Sequence, residues 1–277
     1  MERSTFVFWC CVGVACSDFS LGALHMVEVW SCGGGTQSGA IATLIKLGRL
    51  PRPDFAFMTD TGRERSSTWP FVDGFIRPQL AKVGLELQVI KASDFGGGSL
   101  FGGEDGKTVL MPGFTNLSGQ VGKFSAFCSG NWKVRVGERF MQRACGIKKA
   151  RNWIGISVEE MRRVRKQFRP WMELWYPLIQ GVPMSRSQCV ELIRSHWDGH
   201  IPHSACYMCP NMGNAEWIDM KLNWPGDFAA ACAVEAEVRA VDPHWFCHPS
   251  CVPLAEVDFF AQTTMFPERG CTSGCFT

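Results

Sequence analysis

Met26 to Gly62 reads MVEVWSCGGGTQSGAIATLIKLGRLPRPDFAFMTDTG, and this stretch decides the fold. Met26 to Cys32 is a short apolar run suited to a buried strand, three glycines follow it at once, and Ser38 to Leu47 carries apolar residues at helical spacing. The order is strand, glycine turn, helix. With no Cβ at Gly33, Gly34 and Gly35, successive backbone N–H groups can close around an anion, while Ser38 is expected to cap a helix whose dipole faces the same point. A phosphate fits such a turn. After the Pro51-Arg52-Pro53 break, Phe55 to Thr59 reads as a second strand, and Asp60-Thr61-Gly62 puts a carboxylate at the carboxyl end of a parallel strand. Open α/β sheets bind their ligands at that edge.

Glycine turns before helices are common, and this one is neither GxGxxG nor a loop ending in GK[ST]. Gly33-Gly34-Gly35-Thr36-Gln37-Ser38 does, however, resemble the pyrophosphate loop of the adenine nucleotide alpha hydrolase superfamily, usually written SGGxDS. Asp60-Thr61-Gly62-Arg63-Glu64 resembles the DTGxE run of its phosphoadenosine phosphosulfate reductase branch, in phage and bacterial members. Gly33 stands where that loop usually has Ser and Gln37 where it usually has Asp, so the loop lacks its own acid for placing magnesium. The resemblance implies an adenine nucleotide, ATP or a sulfonucleotide, held by Ser31, residues 33 to 38, Asp60, Thr61, Gly62 and Glu64.

With 277 residues, 46% hydrophobic and 19% charged, the chain can build one α/β domain and an appendage. Disorder is excluded. A net charge of +2 gives no general pull on nucleic acid or membrane, although Lys148, Lys149, Arg151, Arg162, Arg163, Arg165, Lys166 and Arg169 cluster in one region. That cluster reads as a solvated helix face before it reads as a nucleic-acid surface. The nucleotide reading places the fourteen cysteines in a reducing, cytoplasmic compartment, where metal or catalytic roles outrank disulfides. Phe6 to Ala15 is apolar but too short to span a bilayer, and residues 1–25 are expected to be an extension outside the core, with Met26 as a start.

Downstream, Ser66 to Lys82 reads as a helix with Pro70 in its first turn, and Leu85 to Ile90 as a strand. Phe95 to Gly122 is rich in Gly, Ser, Asp and Asn, and is expected to be a substrate-covering loop. Cys128 to Arg135 opens a helix running to about Cys145. Trp153 to Ser157 reads as a strand, Val158 to Phe168 as a helix, Trp175 to Gln180 as a short strand, and Ser185 as the cap of a helix to about Trp197. Cys128 with Lys133 and Arg135 resembles the family's cysteine-then-Lys-x-Arg block, whose basic residues face phosphate or sulfate. Tyr176-Pro177-Leu178 resembles its closing strand.

Cys206-Tyr207-Met208-Cys209-Pro210 is the second strong signal, since a CxxC turn brings two sulfurs to one side and the proline stops regular structure. Iron–sulfur members of the family combine such a pair with a cysteine at the Cys128 position, which implies a four-iron cluster on Cys128, Cys206 and Cys209 with Cys271 as a candidate fourth ligand. Cys271 and Cys275 could instead be a mobile redox pair. His244, Cys247, His248 and Cys251 keep open a zinc site with Cys206 and Cys209, and a metal-free site is the third alternative.

The expected fold is α/β: a doubly wound, Rossmann-like parallel sheet of adenine nucleotide alpha hydrolase type over residues 26–180, then a helical, cysteine-rich region over 181–277. The resemblance implies nucleotide-activated sulfur chemistry by one of two routes. In one, ATP is cleaved at the α-phosphorus to adenylate an acceptor for sulfur transfer, with Asp60, Lys133 and Arg135 assisting. In the other, Cys271 or Cys275 attacks a sulfonucleotide, and a thiol reductant restores the enzyme. A sulfur donor or a nucleic-acid acceptor is compatible with the first route, and no membrane partner is expected. The alternative is a non-catalytic nucleotide sensor or nucleic-acid-associated module.

Overall fold

The computed structural model describes residues 26–125, 127–165 and 169–260. The extension expected over residues 1–25, Lys166 of the basic cluster, and the tail cysteines Cys271 and Cys275 lie outside them.

Strand β1 (Val27–Cys32) runs through the glycine turn into α1 (Thr36–Lys46). The helix starts two residues earlier than its apolar pattern suggests, and Ser38 is not its cap. Gly35 holds the N-cap position, while the Ser38 hydroxyl, inside the first turn, accepts from Gly33 N at 2.9 Å and closes the loop on itself. Every residue from Thr36 to Ile45 is buried, so α1 is an internal helix.

Next come β2 (Phe55–Asp60), α2 (Thr68–Phe71), a π-helical turn over Val72–Ile76, α3 (Arg77–Ala81) and β3 (Leu87–Lys91). The segment expected to be one irregular loop instead forms two small antiparallel hairpins: β4 (Phe101–Gly102) with β5 (Thr108–Val109), and β6 (Phe114–Thr115) with β7 (Gly122–Lys123). Helix α4 (Arg135–Arg139) is flanked by π-helical turns over Ser129–Val134 and Phe140–Ala144.

Strand β8 (Ala150–Ile154) begins three residues before the expected Trp153, because Arg151 in its second position is not a solvent tail. Its guanidinium bridges Glu28 on β1, at 2.8 Å, and Glu173 on β9 (Met172–Trp175), at 3.4 Å. The helix expected over 158–168 is a short 3-10 segment, Val158–Arg163. Pro177 has no N–H for a ladder, so β9 stops before it and Pro177–Gly181 forms a helical turn where a strand was expected.

The five longer strands make one parallel sheet in the order β3-β2-β1-β8-β9, and the order reverses at β1. Alternate residues serve its two faces. Val29, Phe55 and Phe57 pack against Val136, Phe140 and Met141 around α4, whereas Trp30, Met58 and Trp153 share a core with Ile41, Leu44, Phe71 and Phe75. At roughly 1.5–3 kcal/mol per fully buried large apolar side chain, these two layers hold the sheet.

Helix α5 (Arg186–Arg194) is capped by Ser185 as its sequence suggests, with Gln188 completing the box, and it returns Cys189 and Ile193 to the sheet core. Helices α6 (Asn214–Asn223) and α7 (Pro225–Val241) build a second core from Trp217, Met220, Val234 and Val238, joined by Leu100 and Met111 of the hairpin region. No helix among the described residues is long and apolar enough to cross a membrane.

This second unit grips the turn after β2. The buried guanidinium of Arg65 meets Asp219 at 3.1 Å, and Ser66 donates to Asp227 from its backbone N at 2.8 Å and its hydroxyl at 2.6 Å. Asp227 is itself buried at 7% exposure, so removing its carboxylate strands two donors. Asp227→Ala is expected to cost about 2–3 kcal/mol in urea denaturation, and Asp227→Asn, which keeps an acceptor, about half as much.

Candidate functional site

The site lies at the carboxyl edge of the sheet, on either side of the glycine loop. Gly34 has φ +74, and a Cβ there would sit 2.8 Å from Met58 Cε, whereas a Cβ on Gly35 would sit 2.7 Å from Ser204 Cβ. Strain and packing therefore require glycine at both positions. Ser204 also donates its hydroxyl to Gly33 O at 2.6 Å, so a segment 171 residues downstream is pressed onto the loop.

Two cavities flank the loop. The smaller, of about 470 Å³, lies over the sheet and is lined by Ser31, Cys32, Gly33, Phe57, Thr59 and Asn152, with α4 as its other wall. Ser31 donates to Asn152 Oδ1 at 2.8 Å, and burial pushes the Cys32 thiol up to about 11. The larger, of about 980 Å³, is lined by Gln37, Cys128, Lys133, Glu160, Arg163, Arg186, His203, Ser204, Cys206 and Cys209, with Met111, Pro112, Trp132, Met208 and Met212 as apolar wall. Lys133 lines both.

The turn after β2 and the CxxC segment meet although they are far apart in sequence. Glu64 and Cys206 form an antiparallel bridge, and Tyr207 N donates to Arg63 O at 3.0 Å. The Glu64 side chain is 1% exposed, and its Oε1 takes the Thr61 hydroxyl at 3.0 Å and Lys133 Nζ at 3.3 Å. Thr61 Oγ1 lies 3.8 Å from Cys206 Sγ. Burial above all, then the neighbouring Glu64 carboxylate, pushes the Cys206 thiol up to about 12, so without a metal it stays protonated near neutrality.

Other expected site residues are used differently. Asp60 Oδ1 accepts from Gly62 N at 2.7 Å, fixing the turn at a glycine with φ +72, and Asp60 lines neither cavity. Arg135 is exposed and donates to Asn131 Oδ1 at 2.8 Å, away from both cavities. Among the basic cluster, Lys148, Lys149, Arg162 and Arg165 are exposed, and Arg169 pairs with Glu138 at 2.8 Å. Arg163 breaks the pattern: it turns inward, pairs with Glu160 and lines the larger cavity.

The missing loop acid has a spatial substitute. Gln37 Nε2 donates to Glu160 Oε2 at 2.8 Å, and Glu160 also accepts from Ser157 Oγ at 3.2 Å, which seats this carboxylate beside the loop. Only the capping pattern Ser157-x-x-Glu160 hints at it in the sequence. His203 and Arg186 lie in segments that carry a sequence signal, the run up to the CxxC turn and the Ser185 cap, but Asn152 carries none.

Cys128, Cys206 and Cys209 do line one cavity. Among the described residues, however, no three His, Cys, Asp or Glu side chains are gathered closely enough to hold a metal ion, and Cys271 lies outside them. The described thiols thus form no metal site by themselves. In the zinc alternative, His248 has both ring nitrogens engaged, Nδ1 with Ser250 Oγ at 2.8 Å and Nε2 with Asn214 Oδ1 at 2.9 Å, and burial lowers it to about 4. Cys247 is buried with its thiol 3.8 Å from Met208 O. These contacts are those of a packed loop.

No family model, no curated protein and no solved structure matches the chain.

Lys133→Met should leave the Glu64 carboxylate buried without its cation and cost about 3–5 kcal/mol. The Lys133→Met, Glu64→Gln double variant should lose less than the sum of the singles, which a double-mutant cycle in urea measures. Asp60→Ala should cost about 1 kcal/mol through the lost turn bond and Asp60→Asn clearly less, read from the same denaturation curves.

Proposed function

We propose that the chain is an adenine-nucleotide enzyme of nucleotide-activated sulfur chemistry, akin to the phosphoadenosine phosphosulfate reductase branch of the adenine nucleotide alpha hydrolases. One observation carries the reading. The amino end of α1, Lys133, Arg163, Arg186 and His203 converge on one cavity at the sheet's switch point, where the sequence motifs on the glycine loop, the turn after β2 and the CxxC segment also meet. Among the described residues Glu160 is the one carboxylate lining that cavity, and it is already held by Gln37, Ser157 and Arg163. The remaining charge suits a polyanion.

In this reading the nucleoside occupies the smaller cavity and the phosphates lie along the loop toward the larger one. Lys133, lining both, sits where the two parts of the nucleotide join. Of the two reactions, attack on the α-phosphorus of ATP fits the described groups better than thiol attack on a sulfonucleotide. It needs fixed donors and cations around the transferring phosphoryl group, which the loop amides, Lys133 and Arg163 supply. Thiol attack needs Cys271 or Cys275 as its nucleophile, and both lie outside the described residues.

Arg186 is exposed on the cavity wall and can be changed without stranding a partner in the core. Arg186→Met should weaken ATP about tenfold, or about 1.4 kcal/mol, while leaving adenosine affinity and melting temperature unchanged. Calorimetry with both ligands checks this; equal losses for ATP and adenosine would place the charge elsewhere. Release of pyrophosphate from ATP, against release of sulfite from adenylyl sulfate or its 3′-phosphate, then separates the two reactions. ATP binding with neither product points to a binding protein.

A further inference from the structure

We infer that the amino edge of the sheet, at the end of the strands away from the glycine loop, is a docking surface for the phosphate backbone of a nucleic-acid duplex. None of its residues lines either cavity, so the surface works independently of the ATP reading.

Because all five long strands are parallel, each helix that follows a strand returns the chain to the same edge. Segments 46–54, 82–86 and 143–149 lead into β2, β3 and β8, and the strand order β3-β2-β1-β8 sets them side by side. Main-chain and side-chain bonds tie them together. Arg52 donates to Val83 O at 3.0 Å and Gly84 O at 2.7 Å, Glu28 N donates to Asp54 Oδ2 at 2.7 Å, and Val27 N donates to Lys149 O at 3.0 Å. Each segment turns on a left-handed glycine, Gly48, Gly84 or Gly146, with nothing within 4 Å of where a Cβ would stand.

These three segments carry seven cations, Lys46, Arg49, Arg52, Lys82, Arg143, Lys148 and Lys149, against two acids, Asp54 and Glu86. That is +5 on one edge of a chain whose total is +2, so the remainder is at −3 and a polyanion is steered to this edge. All but the half-buried Lys46 are exposed. None of the seven is in an ion pair with another described residue, whereas Arg65, Arg77, Lys133, Arg151, Arg163 and Arg169 are. Arg52 keeps its charge because its partners are neutral carbonyls. Lys46, Lys82 and Arg143 stand at helix ends, where a cation also offsets the helix dipole. Arg49, Arg52, Lys148 and Lys149 lie beyond those ends and have no such role.

The charges are contributed by separate parts of the chain. The run of cations from Lys148 to Arg169 is divided by β8, with Lys148 and Lys149 before the strand and Arg162 and Arg165 after it. Lys148 and Lys149 join Arg49, Arg52 and Lys82 from two other crossovers. From β3 to β8 the edge spans three strand spacings, about 14–15 Å, which matches about four phosphates along one strand of a duplex. No aromatic residue occurs in the three segments, so nothing there stacks on unpaired bases. Cations without a stacking platform read backbone, which makes the partner a duplex bound without regard to sequence.

The test uses the full chain and a fluorescently labelled RNA duplex and DNA duplex of one sequence, with binding read by anisotropy. Micromolar affinity is expected at about 50 mM salt, with log K falling against log salt at a slope of about −3 to −4 for the better of the two. Reversing three exposed turn charges together, Arg49→Glu, Lys148→Glu and Lys149→Glu, should weaken binding about 30-fold or more and flatten the slope to about −1, with melting temperature and ATP affinity unchanged. Arg162→Glu with Arg165→Glu, which reverses exposed cations at the other end of the strands, should change affinity less than about threefold. Failure of both duplexes to bind at low salt overturns the inference, as does a folded triple variant that binds within about threefold of the parent. Equal loss in the Arg162, Arg165 variant would show a diffuse charge effect and overturn the surface as drawn. Binding of phosphatidylserine vesicles by a chain that binds neither duplex would overturn it in favour of a membrane. The ATP reading stands or falls separately, on the calorimetry above.

Discussion

The approach of one extended segment, His203 to Tyr207, to the glycine loop and the turn after β2 is the constraint on which the rest of the site depends. Ser204 seals the loop through Gly33, the Glu64–Cys206 bridge joins the second turn, and Gly35 is glycine because Ser204 leaves no room for a side chain. A backbone contact of this kind cannot be made gradually, because the loop, the turn and the segment must each already have their final path. The helical unit beyond residue 210 secures that path by gripping Arg65 and Ser66 through Asp219 and Asp227.

Buried charge is the second consequence. Bringing the turn under the CxxC segment takes Glu64 almost wholly out of water, which is tolerable only with Lys133 and the Thr61 hydroxyl on its oxygen. The same carboxylate, together with desolvation, keeps the Cys206 proton in place. Lys133 is consequently both a structural counter-ion and a wall of both cavities. The two roles are compatible because an ammonium has three donors and the ion pair needs one.

The wall of the larger cavity is chemically mixed. Gln37, Arg163, Arg186 and His203 supply polar groups, whereas Met111, Trp132, Met208 and Met212 belong to the second core. Thioether and indole surface beside charged groups lowers the local polarity and strengthens their contacts. The hairpins that replace the expected loop contribute to this wall through Met111 and Pro112, and their Leu100 is anchored in the core of α6 and α7. The segment is thus built into the wall.

The parallel α/β sheet and the position of the glycine turn were legible in the sequence, because they follow from local causes: apolar runs of strand length, three adjacent glycines, apolar residues at helical spacing, and a Ser185 cap. Errors arose where a specific partner, near or far in the chain, decided the outcome and local periodicity did not name it. Arg151 reads as a solvent charge until Glu28 and Glu173 arrive on neighbouring strands, and Ser38 reads as a cap until Gly33 N turns toward it. Asp60 was placed correctly at the edge of the sheet, but its carboxylate is taken by the turn at Gly62. Gln37 reads as a lost acid, whereas Glu160 stands beside it in space. Local sequence determined which elements form, since strand and helix periodicity act over a few residues. Only the tertiary structure decided which charges face the cavity, since that depends on contacts between separate segments, such as Gln37 with Glu160 and Gly33 with Ser204.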